Sequence, residues 1–525
     1  MIINKNLYFL KLAYILALFF LSVSINQHYG FIGVFPIDTF LFYDTSYRVL
    51  NGLFPFKDFW SPTSPFIDFI QAFFFKIFGV SWYSYVLHAS VFNFIIVLGT
   101  FYTLEKFKLN IHYCFYYSLL VAVVAYPISG VPFNDHHSSI LSLLGIFCFI
   151  LSIYLKLNLL WFFTPIFISL AFLSKQTPAA YVGIIIFFCS IIYFIFNFEL
   201  KKILFFILGS LIISIFFFIL LNINDIPLKN FYEQYLLFPM SLGDTRVKNF
   251  LFPLEFNRIF LRHKLIHISQ LVLIIVIIKN IVKDFSYIRK GEFVILLSIV
   301  ISSFAFILHQ LLTLNQIFIF FLIPILLGFS HIFLVKYFKE KRLVLYFLIF
   351  IGFVSTTYYK INYADNRKFM ELENINLKNS VDASSINSKF KGLDWITVFY
   401  PNDPKKEINL IKDSIKIINN DQRKKIVATQ YQFIGSLVDD IIYSPTRTYT
   451  PGISYPTTDS DFFIYYKNFF VEQIKKNKIK VIYTIKPYDD YIYDSIINKD
   501  CIKVQSINEI LKRHTFIQCD SFEAN

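Results

Sequence analysis

Runs of about 20 apolar residues recur along this chain with short polar breaks between them, and a helix of that length crosses the roughly 30 Å of a bilayer's hydrocarbon. Spans are expected near 7–26, 82–104, 113–131, 138–156, 159–174, 178–197, 202–222, 265–282, 293–311, 316–335 and 342–359. That makes about eleven transmembrane helices. After about residue 360 the pattern changes to Lys/Asp/Asn-rich sequence. There Asn402-Asp403-Pro404 reads as a helix start, a capping residue followed by a proline that tolerates the first helical position. Ile408, Ile411, Ile415 and Ile418 then fall on one helical face. Ile426 to Thr429 and Lys480 to Ile485 read as short buried strands, so a small α/β domain of about 130–150 residues is expected. The fold class is thus a mainly α, polytopic membrane protein with a small C-terminal α/β soluble domain. Its expected division is a membrane domain over 1–360 and an external domain over 361–525.

Composition supports the bilayer reading. Of 525 residues, 56% are hydrophobic and 20% aromatic, and 67 Phe stand against 16 Gly. The formal charge of +14 does not point to nucleic acid, because the basic residues gather in alternate connections between spans. These hold Lys5, Lys106 and Lys108, Lys156, Lys201 and Lys202, the stretch from Lys279 to Lys290, and that from Lys336 to Arg342. By the positive-inside rule that side is cytoplasmic, and the first apolar run reads as an uncleaved signal anchor with a cytoplasmic N-terminus. The external side receives the 27–81 loop, 131–137, Lys175-Gln176, 223–264, His309 to Asn315, and everything after about 360. Cys114, Cys148 and Cys189 lie in apolar runs; Cys501 and Cys519 could pair in an oxidising compartment. No Cys/His cluster has structural-zinc spacing, and no phosphate-cradling Gly-rich loop or nucleophile elbow is present.

The polar residues able to do chemistry fall almost entirely on the external side. Asp44 is a carboxylate beside the membrane surface, a costly placement that raises a functional question; it could also cap a short helix beginning at Thr45. Asn134-Asp135-His136-His137 offers a second carboxylate with adjacent imidazoles. Asp135 and His136 are ordinary ligand types for a divalent metal, and Asn-Asp is equally an ordinary helix start. Lys175 is a lone external lysine, suited to phosphate contact or to snorkelling. Arg246, Lys248, Arg258, Arg262 and Lys264 form an external basic cluster. Arginine binds phosphate in a bidentate manner, and the same charges are drawn to anionic headgroups.

The first external loop carries a longer pattern: Asp44, Tyr47, Gly52, Pro55-Phe56, Asp58-Phe59, Pro62, Pro65 and Phe78-Gly79. It resembles the first external loop of the GT-C membrane glycosyltransferases, in particular the protein-mannosyl and aminoarabinose transferase branches. Thr45 stands where the protein-mannosyl branch has Glu, and Ser61-Pro62-Thr63-Ser64-Pro65 lacks the lysine of aminoarabinose-type members.

The resemblance implies a GT-C-like fold and an inverting transferase that moves a hexosyl or pentosyl group from a polyprenyl-phosphate donor. The acceptor would be a lipid, glycan or protein at the periplasmic face of a bacterial inner membrane. It implies catalytic roles for Asp44 and Asp135, donor-phosphate contacts from Lys175, Arg246, Arg258 and Arg262, and substrate contacts from Tyr47, Asp58 and His136. A divalent metal at Asp135 and His136 is compatible with it; membrane lipids are expected partners and nucleic acid is not. A transporter or flippase of lipid-linked sugars, or a polymerase of them, is the competing expectation. The charge-poor spans favour the enzyme.

Overall fold

The computed structural model describes residues 5–248, 255–313, 319–338, 342–487 and 495–517. Among them, nine helices are long and apolar enough to cross a membrane, and two shorter apolar helices, Asn158–Ser174 and Leu322–Tyr337, complete the expected set. The protein is a polytopic, mainly helical membrane protein with a small C-terminal sheet domain. Cys114, Cys148 and Cys189 are free thiols; the expected Cys501–Cys519 pairing involves Cys519, outside the described residues.

The chain forms two compact units. The first comprises residues 1–30, 86–217 and 246–369; the second comprises 31–85, 218–245 and 370–525.

In the first unit the helix Asn134–Leu155 is the hub. It packs against Asn158–Ser174, Gln176–Phe196 and Gly291–Thr313, and 83% of its most apolar window is buried, against 11% for the N-terminal helix. A hub helix must be apolar all round, which explains why its sequence shows a continuous apolar run rather than a stripe. The N-terminal helix Lys5–Gly30 packs on Ile111–Val124. At its end, a Cβ on Gly130 would come within 2.6 Å of the Gly30 Cα, so two glycines permit a close backbone approach. The helices Asn134–Leu155, Asn158–Ser174, Gln176–Phe196 and Gly291–Thr313 alternate in direction. Asp135, Lys175 and His309 meet at one end of the bundle, while Lys156, Tyr193, Glu292 and Lys336 line one pocket at the other.

The second unit is built around a four-stranded sheet in the order Lys425–Thr429, Val481–Ile485, Leu511–Phe516, Ile502–Ser506. The first two strands are parallel, with Lys425 opposite Val481, and the helix Phe463–Lys476 lies between them in the chain. The other two pairings are antiparallel. Both expected strands are present, and so is the helix Pro404–Asn420, whose cap is Asp403, accepting from the Lys406 amide at 3.0 Å. Ile408, Ile411 and Ile418 are buried, as an amphipathic helix on a sheet requires. Trp60, from the loop after the first span, is buried with Phe238, Ile426, Tyr466, Phe470 and Ile482. Burying so large an aromatic ties residues 31–85 to the C-terminal residues across a long stretch of sequence.

Candidate active site

Asp135 sits in the first turn of Asn134–Leu155, where a carboxylate is favoured by the helix dipole. The preceding Phe133 is the cap residue and makes no side-chain cap, while the Asn134 side chain accepts from the Asp135 amide at 2.9 Å. Asp135 is 2% exposed and His309 0%. Its two oxygens are both engaged. Lys175 Nζ donates to Oδ2 at 2.7 Å, and His309 Nε2 lies 2.7 Å from Oδ1. Lys175 reaches it from an extended residue between Asn158–Ser174 and Gln176–Phe196, a break in helix that frees the side chain to turn inward. Its own carbonyl accepts from Ser138 Oγ at 3.0 Å, which pins the break to the hub helix.

Arg246 ends the helix Phe238–Arg246 and bears electrostatically on Asp135 and His309. Burial holds its guanidinium below the ordinary arginine value, against the pull of the Asp135 carboxylate. The cluster therefore joins one carboxylate to two cations and an imidazole. His309 Nδ1 and both amide atoms of Gln310 are buried without a hydrogen-bond partner among the described residues, so polar capacity remains at this end of the bundle.

Not every residue of the sequence set joins this cluster. His136 turns to Ser129, with Nδ1 3.1 Å from Oγ. His137 bonds Tyr126 and lies 2.9 Å from His88 through the two Nε2 atoms. Arg258 lies in the short helix Asn257–Leu261 and Arg262 caps its end, and no hydrogen bond or ion pair joins them to Asp135 among the described residues. No group of three or more His, Cys, Asp or Glu side chains able to hold a metal ion is present among those residues. With Lys175 and His309 on its two oxygens and His136 turned to Ser129, Asp135 as placed does not fit a divalent ion.

Asp44 belongs to the second unit. The helix Tyr43–Leu50 starts one residue before it, so Asp44 is not the cap. Instead its Oδ2 pairs with Arg48 one turn on, the i,i+4 spacing that brings side chains together on a helix. Arg48 also donates to the carbonyls of Ser444 at 2.8 Å and Thr446 at 3.1 Å, and its guanidinium lies 5.3 Å over the Phe59 ring. The other carboxylate oxygen faces Gly435, where a Cβ would come within 2.5 Å of it. Asp44 lines two small surface clefts, one with Thr429, Gln432 and Tyr449, the other with Tyr47 and Asn51.

Beneath this helix lies a second ion pair. Asp68, fully buried, accepts from Thr45 Oγ1 at 2.6 Å and pairs with Arg447, which also donates to Ser61 Oγ at 3.1 Å. Burial pushes the Asp68 carboxyl up to about 6, with Arg447 and Thr45 acting in the opposite direction. Several residues of the loop pattern shape the backbone. Gly52 and Phe56 have positive φ, of 81° and 69°. The Phe56 amide bonds the Phe59 carbonyl at 2.9 Å, and Asp58 accepts from the Phe54 amide at 2.9 Å and from Lys476 at 3.2 Å.

No protein-family model matches this sequence, and no curated protein matches it. Among solved structures, the chain is similar to the Archaeoglobus fulgidus oligosaccharyltransferase in complex with zinc and sulfate. The TM-score is 0.43 at 11% identity, over 94% of this chain and 72% of that one. The Archaeoglobus fulgidus oligosaccharyltransferase AglB with an inhibitory peptide and a dolichol-phosphate gives 0.43 at 11%, over 91% and 69%. The apo form of the Archaeoglobus fulgidus enzyme gives 0.41 at 11%, over 90% and 69%.

Sequence reasoning missed His309, Asp68 and Arg447 as site residues. A His-Gln pair at the end of an apolar span was the available signal for His309, since such residues rarely sit there without a partner. Nothing local marks Asp68 and Arg447 as a pair.

Proposed function

We propose that this protein is a GT-C-type membrane glycosyltransferase using a polyprenyl-phosphate-linked sugar, with a lipid, glycan or protein as acceptor. The observation that carries the reading is the buried Asp135 carboxylate held at once by Lys175 and His309, with Arg246 nearby, at one end of the helix bundle. The Asp44 loop pattern supplies the reaction class. In this reading the lysine-rich end of the bundle is cytoplasmic, residues 361–525 are external, and the membrane is a bacterial inner membrane.

An acceptor hydroxyl or amine attacks the anomeric carbon as the bond from that carbon to the phosphate oxygen breaks. The electron pair leaves with the polyprenyl phosphate, the acceptor's proton passes to a carboxylate, and the anomeric centre inverts. Asp44 aligns or deprotonates the acceptor. Lys175 and Arg246 stabilise the charge that grows on the leaving phosphate, the kind of contribution that dominates such sites. Asp135 and His309 hold Lys175 in place until the phosphate arrives. Tyr47, beside the Asp44 pocket, contacts the substrate, and Arg258 and Arg262 attract the donor's charge from the same loop region as Arg246. Asp58 and His136 act indirectly, by holding the loop and the hub helix.

The test offers the purified full-length protein a panel of radiolabelled polyprenyl-phosphate sugars together with lipid, glycan and peptide acceptors. Label appearing in an acceptor supports the reading. Translocation of the lipid-linked sugar across reconstituted vesicles without any transfer would replace it with a transporter.

A further inference from the structure

The opposite end of the bundle encloses a pocket that this chemistry does not use. It is formed by the C-terminal ends of Asn134–Leu155, Gln176–Phe196 and Leu322–Tyr337 and the N-terminal end of Gly291–Thr313, and is a cleft of about 250 Å³ open to the outside. One wall is apolar, from Phe107, Ile153, Ile295, Ile332 and Phe333; the rim carries Lys156, Asn197, Glu292 and Lys336.

The charge balance at the rim is positive. Glu292 is already satisfied by Lys336, Tyr337 and the Tyr287 hydroxyl. Lys156 forms no ion pair among the described residues and stands at the rim. Behind the pocket, Lys202 is already paired with Glu199 at 2.6 Å and donates to the Tyr193 hydroxyl at 2.9 Å, so it adds no excess charge, while Arg289 lies 5.8 Å over the Phe196 ring. Lys156 caps its helix at φ 56°, a left-handed position where glycine is the common residue. The chain thus places an ammonium at a backbone position ill suited to a side chain, beside an apolar slot at the level where helix ends leave the hydrocarbon.

We propose that this pocket binds an anionic phospholipid, with the phosphate on Lys156 and Lys336 and the first carbons of the acyl chains against Ile153, Ile295 and Ile332. A zwitterionic lipid would fill the same slot without answering the excess charge, and a soluble phosphate would leave the apolar wall wet. Basic pockets between membrane helices bind lipid headgroups by this combination of contacts.

The test is lipid retention by the full-length protein, released from micelles containing equal phosphatidylglycerol and phosphatidylcholine and weighed by native mass spectrometry. Wild type should retain phosphatidylglycerol preferentially. Lys156→Glu, which removes one lysine and adds a repelling carboxylate, should lower that retention at least about fivefold, the scale of one lysine's attraction at a membrane surface. Ile332→Trp, which fills the slot, should lower it as well. Arg342→Ala, a cation outside the pocket lining, should not. Retention unchanged in both pocket variants, or lost equally in Arg342→Ala, overturns the proposal. So does displacement of the lipid by an equal concentration of inorganic phosphate, which would make the site one for soluble phosphate.

Discussion

Asp135 and His309, 174 positions apart in the chain, share a 2.7 Å contact between Oδ1 and Nε2 in which both side chains are buried. A buried carboxylate is tolerated only when its partners replace the lost water, and here Lys175 alone leaves one oxygen unmet. His309→Phe should therefore lower transfer roughly ten- to hundredfold, equivalent to the ~1.5–3 kcal/mol of a hydrogen bond to a charged group. His309→Gln, able to donate from a similar position, should retain most activity. Initial rates at saturating donor check this, and equal loss in both variants would deny the hydrogen bond its role.

Gly435 faces the second oxygen of Asp44 with no room for a methyl group. Gly435→Ala should displace that carboxylate and reduce kcat at least about tenfold, since small misplacements of reacting groups are expensive. Thermal unfolding should change little, because Asp44 can yield toward the pockets it lines. Unaltered kcat in a folded Gly435→Ala protein would remove Asp44 from the chemistry.

The buried Asp68 gives the second unit a pH signature. Burial raises its folded-state carboxyl to about 6, above the ordinary value of about 3.9 for an unfolded chain. Stability from this group is fully present below about pH 4 and is lost as pH rises through about 6. Asp68→Asn cannot titrate, so the difference in unfolding temperature between wild type and Asp68→Asn should shift against wild type between about pH 4 and 6 and stay level above that. A difference that is flat over that interval contradicts the assignment.

The alternation of the helices also makes a prediction about sides. Single cysteines at Lys175 and Lys156, one at each end of the bundle, should react with a membrane-impermeant maleimide from opposite faces. With the lysine-rich end cytoplasmic, Lys175→Cys labels in intact cells and Lys156→Cys only after permeabilisation. Labelling of both from one face would break the topology.

The spans were legible because hydrocarbon thickness fixes helix length, and even the shortest break, at Lys175, is present as an extended residue between two helices. The Asp403-capped helix and the strands Lys425–Thr429 and Val481–Ile485 were legible too, since caps and apolar runs are local signals. The pairing of Asp135 with Lys175 has no such local signal, although each residue stands out on its own. A lysine at that break could equally snorkel to water, and only the packing of Asn134–Leu155 against its neighbours turns it inward. His309 and the Asp68–Arg447 pair depend on contacts between residues distant in sequence, for which one sequence holds no pattern. The Asp44 loop separates in the structure into residues that bend the backbone, such as Gly52 and Asp58, and a carboxylate that lines pockets. Sequence alone weighs all of them equally.

The most direct measurement is single-turnover transfer from a radiolabelled polyprenyl-phosphate sugar by wild type, Asp44→Asn and Asp135→Asn, each shown to be folded by its thermal transition. Loss of roughly a hundredfold or more is expected for Asp44, which acts on the reacting group, and of roughly ten- to hundredfold for Asp135, which holds the lysine that does. Full activity in a folded Asp44→Asn or Asp135→Asn protein would contradict the account.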